Sequence, residues 1–109
     1  MSTLNIELQS TTSPELLIVC GVVDIRTFPM FEAVLYSLST QGTSPIEIDL
    51  RKVTSFNSPA VGALVMLASQ RRSHGSKVKL ICLDNGSVAP MIQRSRLDGV
   101  FSMTIVPAD

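Results

Sequence analysis

The chain predicts an α/β fold: a mostly parallel sheet of about five strands in the order β-β-α-β-α-β-α-β. Three observations lead there. Short apolar runs rich in β-branched residues alternate with longer runs whose apolar residues recur at helical spacing. Pro, Gly, Asn, Asp or Ser punctuates the junctions. The chain has 109 residues and is 45% hydrophobic, enough to bury the core of one small domain over 1–109 and too short for two. Strands separated by helices imply right-handed crossovers and parallel neighbours. The first two strands have no helix between them and are free to run antiparallel.

In chain order, Leu4-Asn5-Ile6-Glu7-Leu8 alternates apolar and polar, as a half-exposed edge strand does. Ser10-Thr11-Thr12-Ser13-Pro14 reads as a turn. Residues 16–23 are nearly continuously apolar and predict a buried strand that ends at Asp24. Thr27, Phe28 and Pro29 then start a helix, in which Met30, Phe31, Val34, Leu35 and Leu38 keep helical spacing to about residue 40. Residues 41–45 break it, and residues 46–50 form the next strand. Ser58 before Pro59 is a helix start: the serine can cap free N–H groups, and proline fits the first helical position. That helix runs over 59–74 and closes on Gly75. Residues 77–83 predict a strand and 84–86 a turn. Ser87 is the expected cap of a third helix to about residue 94, with Pro90 tolerated in its first turn. Residues 103–106 are a short last strand.

Nine basic and nine acidic residues give a formal net charge of zero. That balance supports neither a nucleic-acid partner nor an anionic membrane surface. No apolar run approaches the roughly 18 residues of a membrane span, and the first residues have no basic start or apolar signal core. A cytoplasmic protein without membrane insertion is expected. Cys20 and Cys82 each sit in a strand-like apolar run, with no CxxC spacing and His74 as the sole histidine. They read as buried, reduced thiols. Asp24, Asp49 and Asp84 fall at expected strand ends, where acids cap and anchor loops, Asp49 its own. They form no metal-ligand cluster, and no cofactor motif is present. The basic stretch from Arg71 to Lys77 has no phosphate-loop spacing and reads as a solvated helix end that favours the helix dipole.

Two features carry the functional expectation. Ser58 is a cap that can also be modified, since a phosphate at a helix N-terminus is compatible with the dipole. The helix behind it is apolar nearly all round. If Val61, Leu64, Val65 and Ala68 pack on the sheet, Ala63, Met66 and Leu67 face outward, where a partner would cover them.

These residues resemble the STAS domain, the family of bacterial anti-sigma factor antagonists. The family's central signature is a strand ending Asp-Leu, a short loop, then Asp-Ser-Ser/Thr-Gly-Leu-Gly opening a helix. Here it reads Ile48-Asp49-Leu50, Val53-Thr54-Ser55-Phe56, then Asn57-Ser58-Pro59-Ala60-Val61-Gly62. The earlier Gly-x-x-Asp-x-x-Thr signature reads Gly21-Val22-Val23-Asp24-Ile25-Arg26-Thr27. The later glycine, buried strand and helix match Gly75, residues 78–83, Val88 and Leu97. The resemblance spans residues 4–106. Asn57, Pro59, Ala60 and Arg96 depart from it, standing where the family has an aspartate, a second hydroxyl and two glycines.

The resemblance implies a non-enzymatic signalling module that binds a serine-kinase anti-sigma factor and releases it when Ser58 is phosphorylated. Partner contacts are expected at Asp24, Asn57, Ser58, Pro59, Ala63, Met66 and Leu67, with no metal and no cofactor. Asn57, Pro59 and Ala60 favour an alternative, a constitutive STAS interaction subunit of a signalling or transporter assembly.

Overall fold

The computed structural model describes residues 3–11, 14–97 and 99–107. The turn expected at 10–14 lies partly outside them. β1 (Leu4–Gln9) pairs antiparallel with β2 (Glu15–Val22). The chain then alternates through α1 (Phe28–Gln41), β3 (Ile46–Ser55), α2 (Ser58–Arg72), β4 (Lys79–Leu83), α3 (Ala89–Arg94) and β5 (Ser102–Val106). Strands neighbour one another in chain order, and β2 to β5 are all parallel. The expected element order and mostly parallel sheet are therefore observed. Right-handed crossovers that always step to the next strand place α1, α2 and α3 on one face of the sheet.

The core lies between that face and the helices. Leu17 and Val19 of β2, Ile48 and Leu50 of β3, and Leu80 and Cys82 of β4 are buried there. Alternate residues point to the other face. Asp49 and Arg51 share that outer face, with Arg51 Nη2 2.8 Å from Asp49 Oδ2. The Arg51 guanidinium hydrogen bonds hold the Asp49 carboxyl below its ordinary range, against a smaller opposing effect of burial. β3 is longer than the run 46–50 suggests and continues to Ser55. Arg51, Lys52, Thr54 and Ser55 are polar because they are exposed on a strand, not because they form a loop. Register shifts against β2 at Ile18/Cys20 and Gly21/Val22 bend this half of the strand. Asp49 therefore sits within the strand and anchors Arg51, not a loop.

α2 is buried over a wider arc than its own sheet contact requires. Ala60, Val61, Ala63, Leu64, Leu67, Ala68 and Arg71 are all buried. This corrects the expected outward face: Leu67 is 0% and Ala63 6% exposed, because α1 packs along the flank of α2 and covers what the sheet leaves open. Met66 remains half-buried, and the true outer stripe runs through Ser58, Pro59, Gly62, Met66 and Ser69. The solvated helix end is corrected in part as well, because Arg71 is 1% exposed while Arg72 is exposed.

Two helices end alike. After α2, Ser76 N–H donates to the Arg71 carbonyl and Gly75 N–H to that of Arg72, both at 3.0 Å, with Gly75 at φ +81° as its identity predicts. After α3, Leu97 N–H donates to Ile92 at 3.2 Å and Arg96 N–H to Gln93 at 3.0 Å. The left-handed residue there is Arg96, at φ +58°. A side chain in that conformation costs roughly 1–2 kcal/mol. Arg96→Gly is expected to raise stability by about 0.5–1 kcal/mol, glycine's larger unfolded entropy offsetting part of the relief. A urea midpoint at or below that of the wild type would refute the strain. The start of α3 differs from expectation: Val88 occupies the cap position, and the Ser87 hydroxyl is 3.4 Å from the Val53 carbonyl of β3.

Candidate functional site

The rim at the carboxyl ends of β2 and β3 brings the two central signatures together. Val22 is in register with Ser55, and Val23 N–H donates to the Ser55 carbonyl at 2.8 Å. The loops leading to α1 and α2 therefore leave the sheet from adjacent strand ends. Beneath them Phe31 of α1 and Phe56 meet edge to face, with ring centroids 5.7 Å apart. The rim therefore stands on packed aromatic rings.

On the β3 side, the cap of α2 is Asn57, not Ser58. Asn57 is extended, at φ −114° and ψ 166°, and its Oδ1 accepts from Ala60 N–H at 3.0 Å. Asn57 does the capping expected of Ser58, so Ser58 and Pro59 move one position into the first turn. Ser58 is exposed, and its hydroxyl has no hydrogen-bond partner among the described residues. The oxygen that capping would have occupied makes no fold contact. Pro59 is exposed beside it.

On the β2 side, Asp24 and Thr27 lock their loop from both ends. Asp24 N–H donates to Thr27 Oγ1 at 2.9 Å, and Thr27 N–H donates to Asp24 Oδ1 at 3.1 Å. Arg26 N–H donates to the same carboxylate oxygen at 2.9 Å, and the Thr27 hydroxyl donates to the Val22 carbonyl at 2.7 Å. Asp24 is thus part of the loop's scaffold, and Thr27 makes no side-chain cap of α1. The lock holds out two residues the sequence did not single out. Ile25 is 87% exposed, more than Tyr36 at 60% or any other exposed large apolar side chain described. Arg26 is exposed beside it. The apolar residue at this tip looks like a continuation of the buried strand before it, and only the Asp-x-x-Thr spacing hints at a tight loop.

Asp84 is exposed on the neighbouring loop after β4. Asp24, Asp49 and Asp84 do not converge, and among the described residues no group of three metal-type side chains forms. Cys20 is half-buried and Cys82 buried, both as free thiols. Burial pushes the Cys82 thiol up to about 11, far from the thiolate a nucleophile needs. His74 Nδ1 rests 3.0 Å from the Gln70 carbonyl at the far end of α2. A shallow apolar groove of about 280 Å³ between β1 and α1, lined by Leu8, Val34 and Leu38 among others, lies at the end of the sheet opposite Ser58. No helix among the described residues is long and apolar enough to cross a membrane.

Comparison with known proteins agrees with the fold. No curated protein matches the sequence. Among solved structures, the fold is similar to the crystal structure of an anti-sigma factor antagonist from Mycobacterium paratuberculosis. The TM-score is 0.79 at 16% identity, over 93% of this chain and 85% of that one. A family model described as "Mlab, STAS domain" matches residues 6–107, which includes both rim loops, all three helices and almost the whole sheet. By that match, the chain belongs to the STAS-domain family.

Proposed function

We propose that the protein is an anti-sigma factor antagonist, a non-enzymatic module of the bacterial cytoplasm that binds a serine-kinase anti-sigma factor through the Ser58 rim. One observation carries this reading: Ser58 is exposed at the start of α2 with its hydroxyl unused, because Asn57 caps the helix. A serine with a structural duty would be a poor switch. This one can take a phosphate without losing a fold contact. The kinase would move the γ-phosphoryl group of ATP to Ser58 Oγ, with ADP leaving and the hydroxyl proton passing to a base of the kinase. The modified rim would then carry about two negative charges where the partner had met a neutral hydroxyl.

Gly62 supports a surface for close approach. A Cβ built there meets nothing within 4 Å, so internal packing does not call for glycine. Its place inside a helix costs about 0.5–1 kcal/mol relative to alanine. A partner backbone lying against the stripe Ser58-Gly62-Met66 gives that cost a reason.

Incubation with the cognate anti-sigma factor and ATP, followed by mass spectrometry, is expected to place a phosphate on Ser58. Ser58→Asp is expected to weaken the complex by at least about tenfold, an energy of about 1.4 kcal/mol. Phosphate absent from Ser58, or an undiminished affinity for Ser58→Asp, would rule the switch out. The second reading, a constitutive interaction subunit, is favoured by Asn57. Its neutral amide completes the cap without the acid that the family signature carries there. In that case Ser58→Ala retains full function and Ser58 is never modified.

A further inference from the structure

The loop that leaves the strand end next to the Ser58 rim carries an exposed cation. Arg26 lies on the loop after β2, three residues past Val23, whose N–H donates to Ser55, three residues before Ser58. Its backbone is fixed by the Asp24 carboxylate, while its side chain projects from an exposed residue. The one ion pair among the described residues is Asp49–Arg51, so the Arg26 guanidinium is uncommitted. The immediately neighbouring acid, Asp24, is occupied by the N–H groups of Arg26 and Thr27 and by the Thr27 hydroxyl. The Asp24 lock thus organises the loop, and the exposed Arg26 side chain makes no ion pair or hydrogen bond among the described residues.

We propose that Arg26 is the internal receptor for a phosphate on Ser58. A phosphoserine presents three acceptor oxygens, and a guanidinium presents a planar fork that can engage two of them at once. Phosphorylation would then change the rim twice. It adds a dianion at the start of α2, and it draws the Arg26 cation out of the surface offered to a partner. The phosphate is held across two loops, so the modified rim has a defined shape and not only a different charge. The inference rests on the reading of Ser58 as the phosphate-bearing residue, but it needs no partner to be tested.

The charged groups around the site are Arg26 and Asp24 on the β2 loop, Asp84 on the β4 loop and Lys52 further back along β3. All but Arg26 are unchanged in a comparison of wild type with Arg26→Gln, as is the helix N-terminus. The full chain carrying phosphoserine at position 58, installed during translation, is titrated by phosphorus NMR. The ordinary second pKa of a phosphoserine is about 6. Arg26→Gln is expected to raise the wild-type value by roughly 0.3–0.7 unit, as loss of one exposed charge pair would. Arg26→Lys should fall between them. Salt at about 1 M should shrink the difference, since the screening length is then only about 3 Å. Arg51→Gln, whose guanidinium is engaged by Asp49 on the outer sheet face, should titrate as wild type.

Coincident curves for wild type and Arg26→Gln would overturn the proposal, as would an equal shift in Arg51→Gln. Either result would leave the functional reading of Ser58 standing. Failure of the cognate kinase to phosphorylate Ser58 would defeat that reading and leave the Arg26 titration unchanged.

Discussion

Arg71→Ala is expected to destabilise the fold by roughly 2–4 kcal/mol, the largest loss from any single charged side chain. Arg71 is 1% exposed and has no carboxylate within ion-pair distance among the described residues. Its Nε–H donates to the Ser44 carbonyl at 2.8 Å, and its Nη1 donates to the carbonyls of Leu38 and Gly42 at 2.9 and 2.7 Å. Nη1 also meets Gln70 Oε1, whose amide Nε2 in turn donates to Gly42 at 3.0 Å. These carbonyls belong to the end of α1 and the loop after it. Gly42 there is extended, at φ −161° and ψ 166°, so α1 lacks the glycine-turned closure that ends α2. A guanidinium from the neighbouring helix does that work instead, and it places positive charge at the negative end of α1.

Burial lowers the Arg71 pKa, and the charge of Glu15 opposes that shift. Each buried carbonyl left unpaired costs about 1–3 kcal/mol, partly repaid by removing a buried cation and by water reaching the exposed loop at Ser44. Arg71→Lys keeps the charge but not the fork, and should recover less than half of the loss. Urea denaturation decides the matter, with Arg72→Ala as the exposed control, expected within about 0.5 kcal/mol of wild type. Equal effects at the two positions would show that Arg71 is not the staple.

Arg71 also shows where sequence reasoning stops. Two consecutive arginines at a helix end look alike on paper, and which one is swallowed depends on a second helix lying alongside. The same missing neighbour explains α2. Its apolar circumference was legible, and so was the inference that something must cover it. That α1 covers much of it, burying Ala63 and Leu67, follows from strand order and crossover hand acting together. Periodicity placed every helix and strand because each burial pattern is local. It misjudged β3, where Arg51, Lys52, Thr54 and Ser55 are polar yet belong to the strand, since an exposed strand and a loop choose similar residues. It assigned the cap to Ser58 on the statistics of proline. Asn57 is as good a cap, and only the loop conformation decides between them. Ile25 was invisible for a different reason. Nothing in a run of apolar residues says where burial ends and display begins.

Ile25→Asp is expected to weaken binding to the proposed anti-sigma factor partner by at least about tenfold while leaving stability within about 0.5 kcal/mol of wild type. Isolated apolar residues on a surface are ordinary and need no explanation by themselves. Ile25 differs in how it is held. The hydrogen bonds among Asp24, Arg26, Thr27 and Val22 fix the loop that carries it, so its exposure is not a product of slack chain. A loop whose backbone is already fixed pays less ordering entropy on binding than a slack one, which favours an anchor carried on it. It stands on the loop adjoining Ser58, so a partner covering the serine has the isoleucine within its footprint. Removal to solvent costs the fold nothing because the side chain is there already, 87% exposed. An aspartate would place a charge where a partner's apolar pocket closes. Tyr36→Asp is the control, since Tyr36 is 60% exposed midway along α1, away from the rim loops. Titration calorimetry against the anti-sigma factor should show the loss for Ile25→Asp alone. Wild-type affinity for Ile25→Asp, or an equal loss for Tyr36→Asp, would remove Ile25 from the binding surface and leave Ser58 and the α2 stripe to account for it.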